Sequence, residues 1–66
     1  MKRWDCIKQK YVENKAVDNF LKEIKELCNK HKLSISHEDC HGSFIITSFN
    51  ESNLEWLSDA STEIRG

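Results

Sequence analysis

The sequence predicts a small α+β domain built as a long helix, a two-stranded antiparallel hairpin and a short C-terminal helix, an αββα order. Three patterns predict it: apolar residues at helical spacing in the first half, a period of two in the middle, and an Asn-capped apolar stripe near the end. The 66 residues have room for one domain, spanning residues 1–66. We expect an αββα core over residues 15–61 and an N-terminal extension over residues 1–14.

The long helix is indicated by a stripe of residues that recur at spacings of three and four in the first half of the chain. Its members are Val17, Phe20, Leu21, Ile24, Leu27, Cys28 and His31. Asn14 can cap this helix, or one helix can run through from the N-terminus. Upstream, Trp4, Ile7 and Tyr11 also have helical spacing. We expect a separate or poorly ordered N-terminal turn, from which Trp4 reaches a hydrophobic contact.

The hairpin is indicated by two apolar runs that flank the interior glycine. Residues 33–37 alternate apolar and polar side chains, and residues 43–49 form the second run. Between them, Asp39 and Gly42 stand at the first and fourth positions of a type I turn, where Gly adopts the left-handed conformation. This arrangement is typical of a hairpin closed by a type I turn and a bulge.

A short helix follows the hairpin, and two starts are open for it. Asn50 can cap it, or Ser52 and Glu55 can form a capping box two residues later. Leu54 then lies on the inner face of the helix, which we expect to end near residue 60. Residues 61–66 are expected to fray.

The second strand of the hairpin is apolar on both faces. Phe44 and Ile46 point to one side, and Ile45 points to the other. One helical layer covers only one of these faces, so the other needs the N-terminal segment or a second chain. Two hairpins joined at their edges would extend the sheet and remove an exposed edge. We therefore expect a homodimer with Phe44, Ile45 and Ile46 at its interface.

The cysteine count and the composition of the N-terminus favour a reducing cytoplasm. There are three cysteines, Cys6, Cys28 and Cys40, and an odd number cannot all pair within one chain. The charged N-terminus lacks the apolar segment of a signal peptide. No apolar run approaches the roughly 20 residues that a membrane span needs. We expect a cytoplasmic protein without disulfides and without a membrane partner.

Charge is unevenly distributed, although the net charge is −1. Residues 1–32 hold nine Lys or Arg and five Asp or Glu, whereas residues 33–66 hold one Arg and six acidic residues. A solvated helix face explains this asymmetry, and so does contact with nucleic acid. A nucleic-acid surface would use Lys2, Arg3, Lys8, Lys10 and Lys15, with Trp4 and Tyr11 for stacking. The acidic second half, which would repel phosphates, argues against that use.

Two chemical sites can be written from the Cys and His residues, and we favour neither. The zinc-binding residue types are Cys28, His31, His37, Cys40 and His41. Their spacings, C-x2-H and H-x2-C-H, do not match a standard zinc pattern. Cys40 beside His41, with Asp39 to orient the imidazole, would be a nucleophile pair, but neighbouring side chains in a turn usually diverge. We predict no metal, no cofactor and no catalytic residue, so the protein is expected not to be an enzyme.

Part of the chain resembles a family of very small proteins from phages and prophages of Gram-positive bacteria. In that family a pattern like I-S-H-E-D-x-x-G-x-F-I-I precedes a short helix with N-x-x-W-L. The corresponding stretches here run from Ile35 to Ile46 and from Asn53 to Leu57. The resemblance covers residues 20–60.

The resemblance implies a protein that acts by binding rather than by catalysis. Small phage proteins of this kind often inhibit a host factor, and some antagonise host defence, including a short protein directed against the Hachiman system. The shared positions are His37, Glu38, Asp39, Phe44 and Trp56. We therefore expect a partner in a bacterial defence system within the host cytoplasm. The alternative is a small phage nucleic-acid-binding or regulatory protein.

Overall fold

The computed structural model describes residues 1–65 and contains four strands and two helices over that range. In chain order they are β1 Lys2–Asp5, β2 Lys10–Glu13, α1 Lys15–His31, β3 Leu33–His37, β4 Phe44–Ser48 and α2 Glu51–Ser58. The strands form two antiparallel pairs, β1 with β2 and β3 with β4. The predicted α+β class is confirmed, but an additional hairpin precedes the long helix, so the order is ββαββα rather than αββα.

The N-terminal hairpin replaces the turn expected for residues 1–14. Trp4 lies opposite Tyr11 in the β1–β2 register. The Asp5 carboxylate accepts the backbone N–H groups of Ile7 and Lys8, each at 2.9 Å, and so closes the connecting turn. The spacing of Trp4, Ile7 and Tyr11 therefore comes from two paired strands and a tight turn, not from a helix.

Asparagine caps begin both helices. The Asn14 side chain accepts the N–H of Val17 at 3.2 Å and so caps the start of α1. Of the two alternatives that the sequence left open, the structure therefore has a helix that begins after Asn14 and not one that runs through from the N-terminus. Asn50 accepts the N–H groups of Ser52 and Asn53 at 2.8 and 3.3 Å. Of the two starts open for α2, the structure therefore has the Asn50 cap.

The apolar stripe of α1 is only partly covered. Leu21 and Cys28 are buried, whereas Phe20 and Leu27 are 61% and 54% exposed. Leu54 of α2 is the third buried apolar residue of the described chain. Within residues 1–65, neither helix is long and apolar enough to cross a membrane.

The segment after α2 is held by the first strand. The Thr62 N–H donates to the Trp4 carbonyl at 2.8 Å, and the Cys6 N–H donates to the Thr62 carbonyl at 2.7 Å. Thr62 forms a parallel bridge with Asp5 and is buried. The expectation of fraying is wrong at this position, because β1 offers the segment an edge that the sequence does not show.

Arg3 connects the N-terminal hairpin to both helices. Its side chain is almost fully buried. Nη1 donates to the carbonyls of Ser58 and Ala60 at 2.8 and 3.0 Å, and Nη2 donates to the Asp18 carboxylate. The carbonyls at a helix C-terminus lack helical partners and carry partial negative charge, so a guanidinium satisfies them well.

The Arg3–Asp18 pair makes stability depend on pH. The hydrogen bond from Arg3 is the main cause that holds the pKa of Asp18 below its ordinary value of 3.8. A carboxyl with a lowered pKa contributes stability above its unfolded-state pKa and loses it as the pH falls through the folded-state value. Wild type should therefore unfold at higher urea concentration than Asp18→Asn near neutral pH, and this difference should shrink as the pH falls below 3.8 and through the lower pKa of the folded state.

Urea titrations at a series of pH values measure this difference. Asp5 also has a pKa below its ordinary value, chiefly because the Lys8 N–H donates to it, but it is present in both proteins and cancels. Glu26→Gln, on the same helix but outside the contacts of Arg3, is the control and should not reproduce the effect of Asp18→Asn. A wild-type advantage over Asp18→Asn that persisted at low pH would contradict this account.

Candidate protein-binding surface

Three of the five positions that the sequence resemblance singled out come together in space. His37 and Phe44 face each other in the last pair of β3 and β4, and Trp56 approaches from α2. The His37 ring lies 6.0 Å from the Phe44 ring and 6.0 Å from the Trp56 ring, edge to face in both cases. We call these three residues the aromatic cluster.

The aromatic cluster borders a shallow concavity of about 180 Å³. The residues around it are Ile35, Ser36, His37, Phe44, Asn53, Trp56, Leu57 and Ala60. Phe44 is 76% exposed and Trp56 is 52% exposed, so both rings present most of their apolar surface to solvent. Large rings around a concavity can accept an apolar side chain from another molecule.

The turn beside the cluster is one residue wider than predicted. The Gly42 N–H donates to the Glu38 carbonyl at 3.0 Å, so the turn runs over five residues instead of the four of a type I turn. Gly42 has φ +69°, which confirms the left-handed conformation expected for it. The bond from the Glu38 N–H to the Ser43 carbonyl, at 2.8 Å, ends the strand pairing.

The other two of these five positions, Glu38 and Asp39, place carboxylates at this turn. Glu38 Oε1 lies 2.7 Å from His41 Nδ1, and Asp39 Oδ1 lies 3.5 Å from His37 Nδ1. Asp39 is almost fully exposed. The aromatic cluster therefore has an acidic rim, which favours a partner surface that carries positive charge beside an apolar group.

The residues of the zinc and nucleophile alternatives do not converge. Cys28 is buried in α1, whereas Cys40 is exposed in the turn. Within the part of the chain that the structure describes, no three His, Cys, Asp or Glu side chains are placed to hold a metal ion. His41 contacts Glu38 and not Asp39, the residue expected to orient it.

The proposed nucleic-acid residues are divided by the fold. Arg3 is buried and pairs with Asp18, so it is not available to phosphates, contrary to its place in that candidate set. Trp4 and Tyr11 pack edge to face, with ring centroids 5.4 Å apart, on one face of the N-terminal hairpin. Tyr11 remains 67% exposed, and the four lysines of the set lie on the surface.

The expected dimer residues all lie on a strand that the helices do not cover. Phe44, Ile45 and Ile46 are 76%, 43% and 63% exposed. Both helices pack against β3, and within residues 1–65 neither of them packs against β4. The N-terminal hairpin, which the sequence offered as the other possible cover, does not pack against β4 in that range either.

The sequence pattern did not show that the helix stripe and the sheet leave a gap between them. An open cleft of about 550 Å³ separates α1 from the hairpin face that carries Phe44 and Ile46. Its walls include Phe20 and Ile24 of α1, and a second hollow of about 280 Å³ continues it past Leu27. We call this space the apolar cleft. Periodicity shows that the stripe is apolar, but not how far apart two apolar faces come to rest.

Comparison of the chain with protein-family models, with curated proteins and with solved structures finds no match.

The turn geometry predicts how substitutions at Gly42 affect stability. No atom lies within 4 Å of a Cβ built on Gly42, so the cost of a side chain is purely that of the left-handed backbone. Gly42→Val should lower the free energy of unfolding by about 1–2 kcal/mol, because a β-branched residue resists positive φ. Gly42→Asn should cost distinctly less, because Asn adopts this conformation readily. Thermal or urea unfolding of the two variants measures the difference; equal stabilities would refute the turn assignment.

Proposed function

We propose that this protein is a small, non-enzymatic phage protein that binds a host protein and inhibits it, in counter-defence. The observation that carries the proposal is the exposed aromatic cluster of His37, Phe44 and Trp56 with the carboxylates of Glu38 and Asp39 beside it. Inhibition of the Hachiman system is the specific case that we propose to test first. The site of action would be the host cytoplasm.

The cluster has the composition of a binding hot spot. Trp and other aromatic residues dominate the energy of protein interfaces when they fill a pocket at the centre of the contact. Burying one such side chain is worth about 1.5–3 kcal/mol. Trp56 and Phe44 leave that free energy unused in the isolated chain, because half or more of each side chain is exposed. A partner that covers both rings would recover it.

The acidic rim indicates the charge of the partner's surface. The carboxylates of the rim belong to two residues of the turn, Glu38 and Asp39, which lie close to the imidazoles of His41 and His37, respectively. Such a rim attracts a basic surface and repels a polyanion, so it favours a protein partner over nucleic acid at this site. A host protein that itself binds nucleic acid would present a basic surface of this kind.

The resemblance over residues 20–60 supports the choice of partner. The positions that carry the resemblance, including His37 and Trp56, lie at the aromatic cluster and its acidic rim. The alternative, a small phage nucleic-acid-binding or regulatory protein, would instead draw on the exposed lysines and Tyr11. The two proposals use different residues and can be separated by substitution.

Affinity capture from host lysate with substituted chains tests the proposal. Trp56→Ser should weaken binding of the host partner at least about 30-fold, the equivalent of about 2 kcal/mol for a hot-spot aromatic. Tyr11→Ser, an exposed aromatic away from the cluster, is the matched control and should bind like wild type. Partner recovery should survive nuclease treatment. Loss of every partner on nuclease treatment, or weakening by Tyr11→Ser alone, would support the nucleic-acid alternative.

The inhibitory role has its own readout in infected cells. Wild-type protein expressed in a host that carries the Hachiman system should restore plaque formation by a phage which that system restricts. Trp56→Ser expressed at the same level should not restore it. Restoration by both proteins would show that the cluster is not the inhibitory surface.

A further inference from the structure

The described chain is too open for a closed monomer of its size. Its solvent-accessible surface is 5342 Å², whereas a folded monomer of 7.8 kDa is expected to expose about 4,400 Å². The Cα radius of gyration is 12.8 Å, against about 11 Å for a compact domain of 66 residues. The surplus surface, about 900 Å², matches the roughly 800 Å² that each partner buries in a standard interface.

A large share of the exposed apolar surface lies along the apolar cleft and β4. Phe20 and Leu27 on the α1 side are more than half exposed, and Phe44 and Ile46 on the sheet side are more than three-fifths exposed. A contiguous apolar surface of this kind is unusual on a monomeric protein and marks a site of association.

The outer edge of β4 offers backbone groups for pairing. In an antiparallel pair, successive residues turn their N–H and C=O groups alternately toward the partner strand and away from it. The Ser43 carbonyl accepts the Glu38 N–H, and the Phe49 N–H donates to the Lys32 carbonyl, so both residues direct backbone groups toward β3 and its flanks. By the alternation, Ile45 and Thr47 also direct their backbone groups toward β3. Phe44 and Ile46 therefore direct their backbone groups outward, whereas the Ser48 carbonyl is turned toward β3 and accepts the Ser34 hydroxyl at 2.8 Å. β4 contains neither a charged residue nor a proline, the usual protections of an edge strand.

We propose that a second copy of this chain pairs with β4 in antiparallel register about a two-fold axis at Ile46, and that the pair closes the apolar cleft. In this register Ile46 faces Ile46 of the second copy, and Phe44 faces its Ser48. The two Ile46 residues then exchange a pair of hydrogen bonds across the axis, so the centre of the edge is complementary to itself. The inference does not depend on the proposed host partner.

The pairing also covers the apolar surface. The side chains of Phe44 and Ile46 stay on one face of the resulting four-stranded sheet, because residues two apart in a strand point to the same side. The two-fold axis is perpendicular to that sheet, so both copies of α1 lie over this face. A two-layer arrangement of helices on one side of a sheet is a stable way to bury a single hydrophobic core.

Disulfide trapping tests the register directly. In a Cys6→Ser, Cys40→Ser background, Ile46→Cys should oxidise to a covalent dimer, because residues that face each other across a hydrogen-bonded pair have Cα atoms about 5.5 Å apart. Thr47→Cys is the matched control: in this register the two Thr47 positions are offset by two residues, beyond the roughly 7 Å that a disulfide can bridge. We expect at least tenfold more covalent dimer from Ile46→Cys. Equal trapping, or none with either variant, would overturn the proposed register.

Light scattering of the unsubstituted chain at several concentrations tests association itself. The mass should rise from 7.8 kDa toward twice that value with concentration, and the melting temperature should rise with it. Ile46→Lys should remain at the monomer mass across that range, because a lysine on an edge strand opposes pairing. If Ile46→Lys fails to fold, the comparison of Ile46→Cys with Thr47→Cys still decides the register. A monomer mass for the unsubstituted chain at every concentration would overturn the proposal.

Discussion

The guanidinium group of Arg3 is the interaction on which the relative placement of the elements depends. It joins β1 to Asp18 of α1 and to the carbonyls of Ser58 and Ala60 at the end of α2. Burying a cation is costly unless it is paired and hydrogen-bonded, and once it is buried the loss of a partner is strongly destabilising. Arg3 Nε has no hydrogen-bond partner within residues 1–65, so the remaining bonds must offset that cost. Arg3 and the backbone bonds between Thr62 and β1 together hold the N-terminal hairpin against the rest of the chain.

The shortage of core has a consequence for function. Leu21, Cys28 and Leu54 are the buried apolar residues of the described chain, which is little for a domain of this length. The apolar residues that the monomer cannot bury lie instead along the apolar cleft and in the aromatic cluster. Stability and binding therefore draw on the same surface, and association with any partner that covers this surface would also stabilise the fold.

The proposed pairing and the proposed host contact share Phe44, but they are centred on different parts of the same hairpin. The two-fold axis lies at Ile46 in the middle of β4, whereas Glu38 and Asp39 lie in the turn before that strand. Because the paired β4 strands run in opposite directions, the two turns stand at opposite ends of the four-stranded sheet. Such a dimer would present two aromatic clusters, one at each end of the sheet.

Local signals in the sequence determined α1, the β3–β4 hairpin and α2, because caps, periodicity and a left-handed glycine act over a few residues: Asn14, Asn50 and Gly42 each behave as their residue type predicts. The same signals placed His37 and Phe44 at the end of one hairpin. They could not reveal the N-terminal hairpin, since Gln9 adopts a left-handed conformation without the glycine that marks such turns. Nor could they reveal the burial of Arg3, the pairing of Thr62 or the approach of Trp56 to His37, which bring together residues distant in the chain. Only the tertiary structure decides these contacts, because they depend on how separate elements pack and not on any short stretch of sequence.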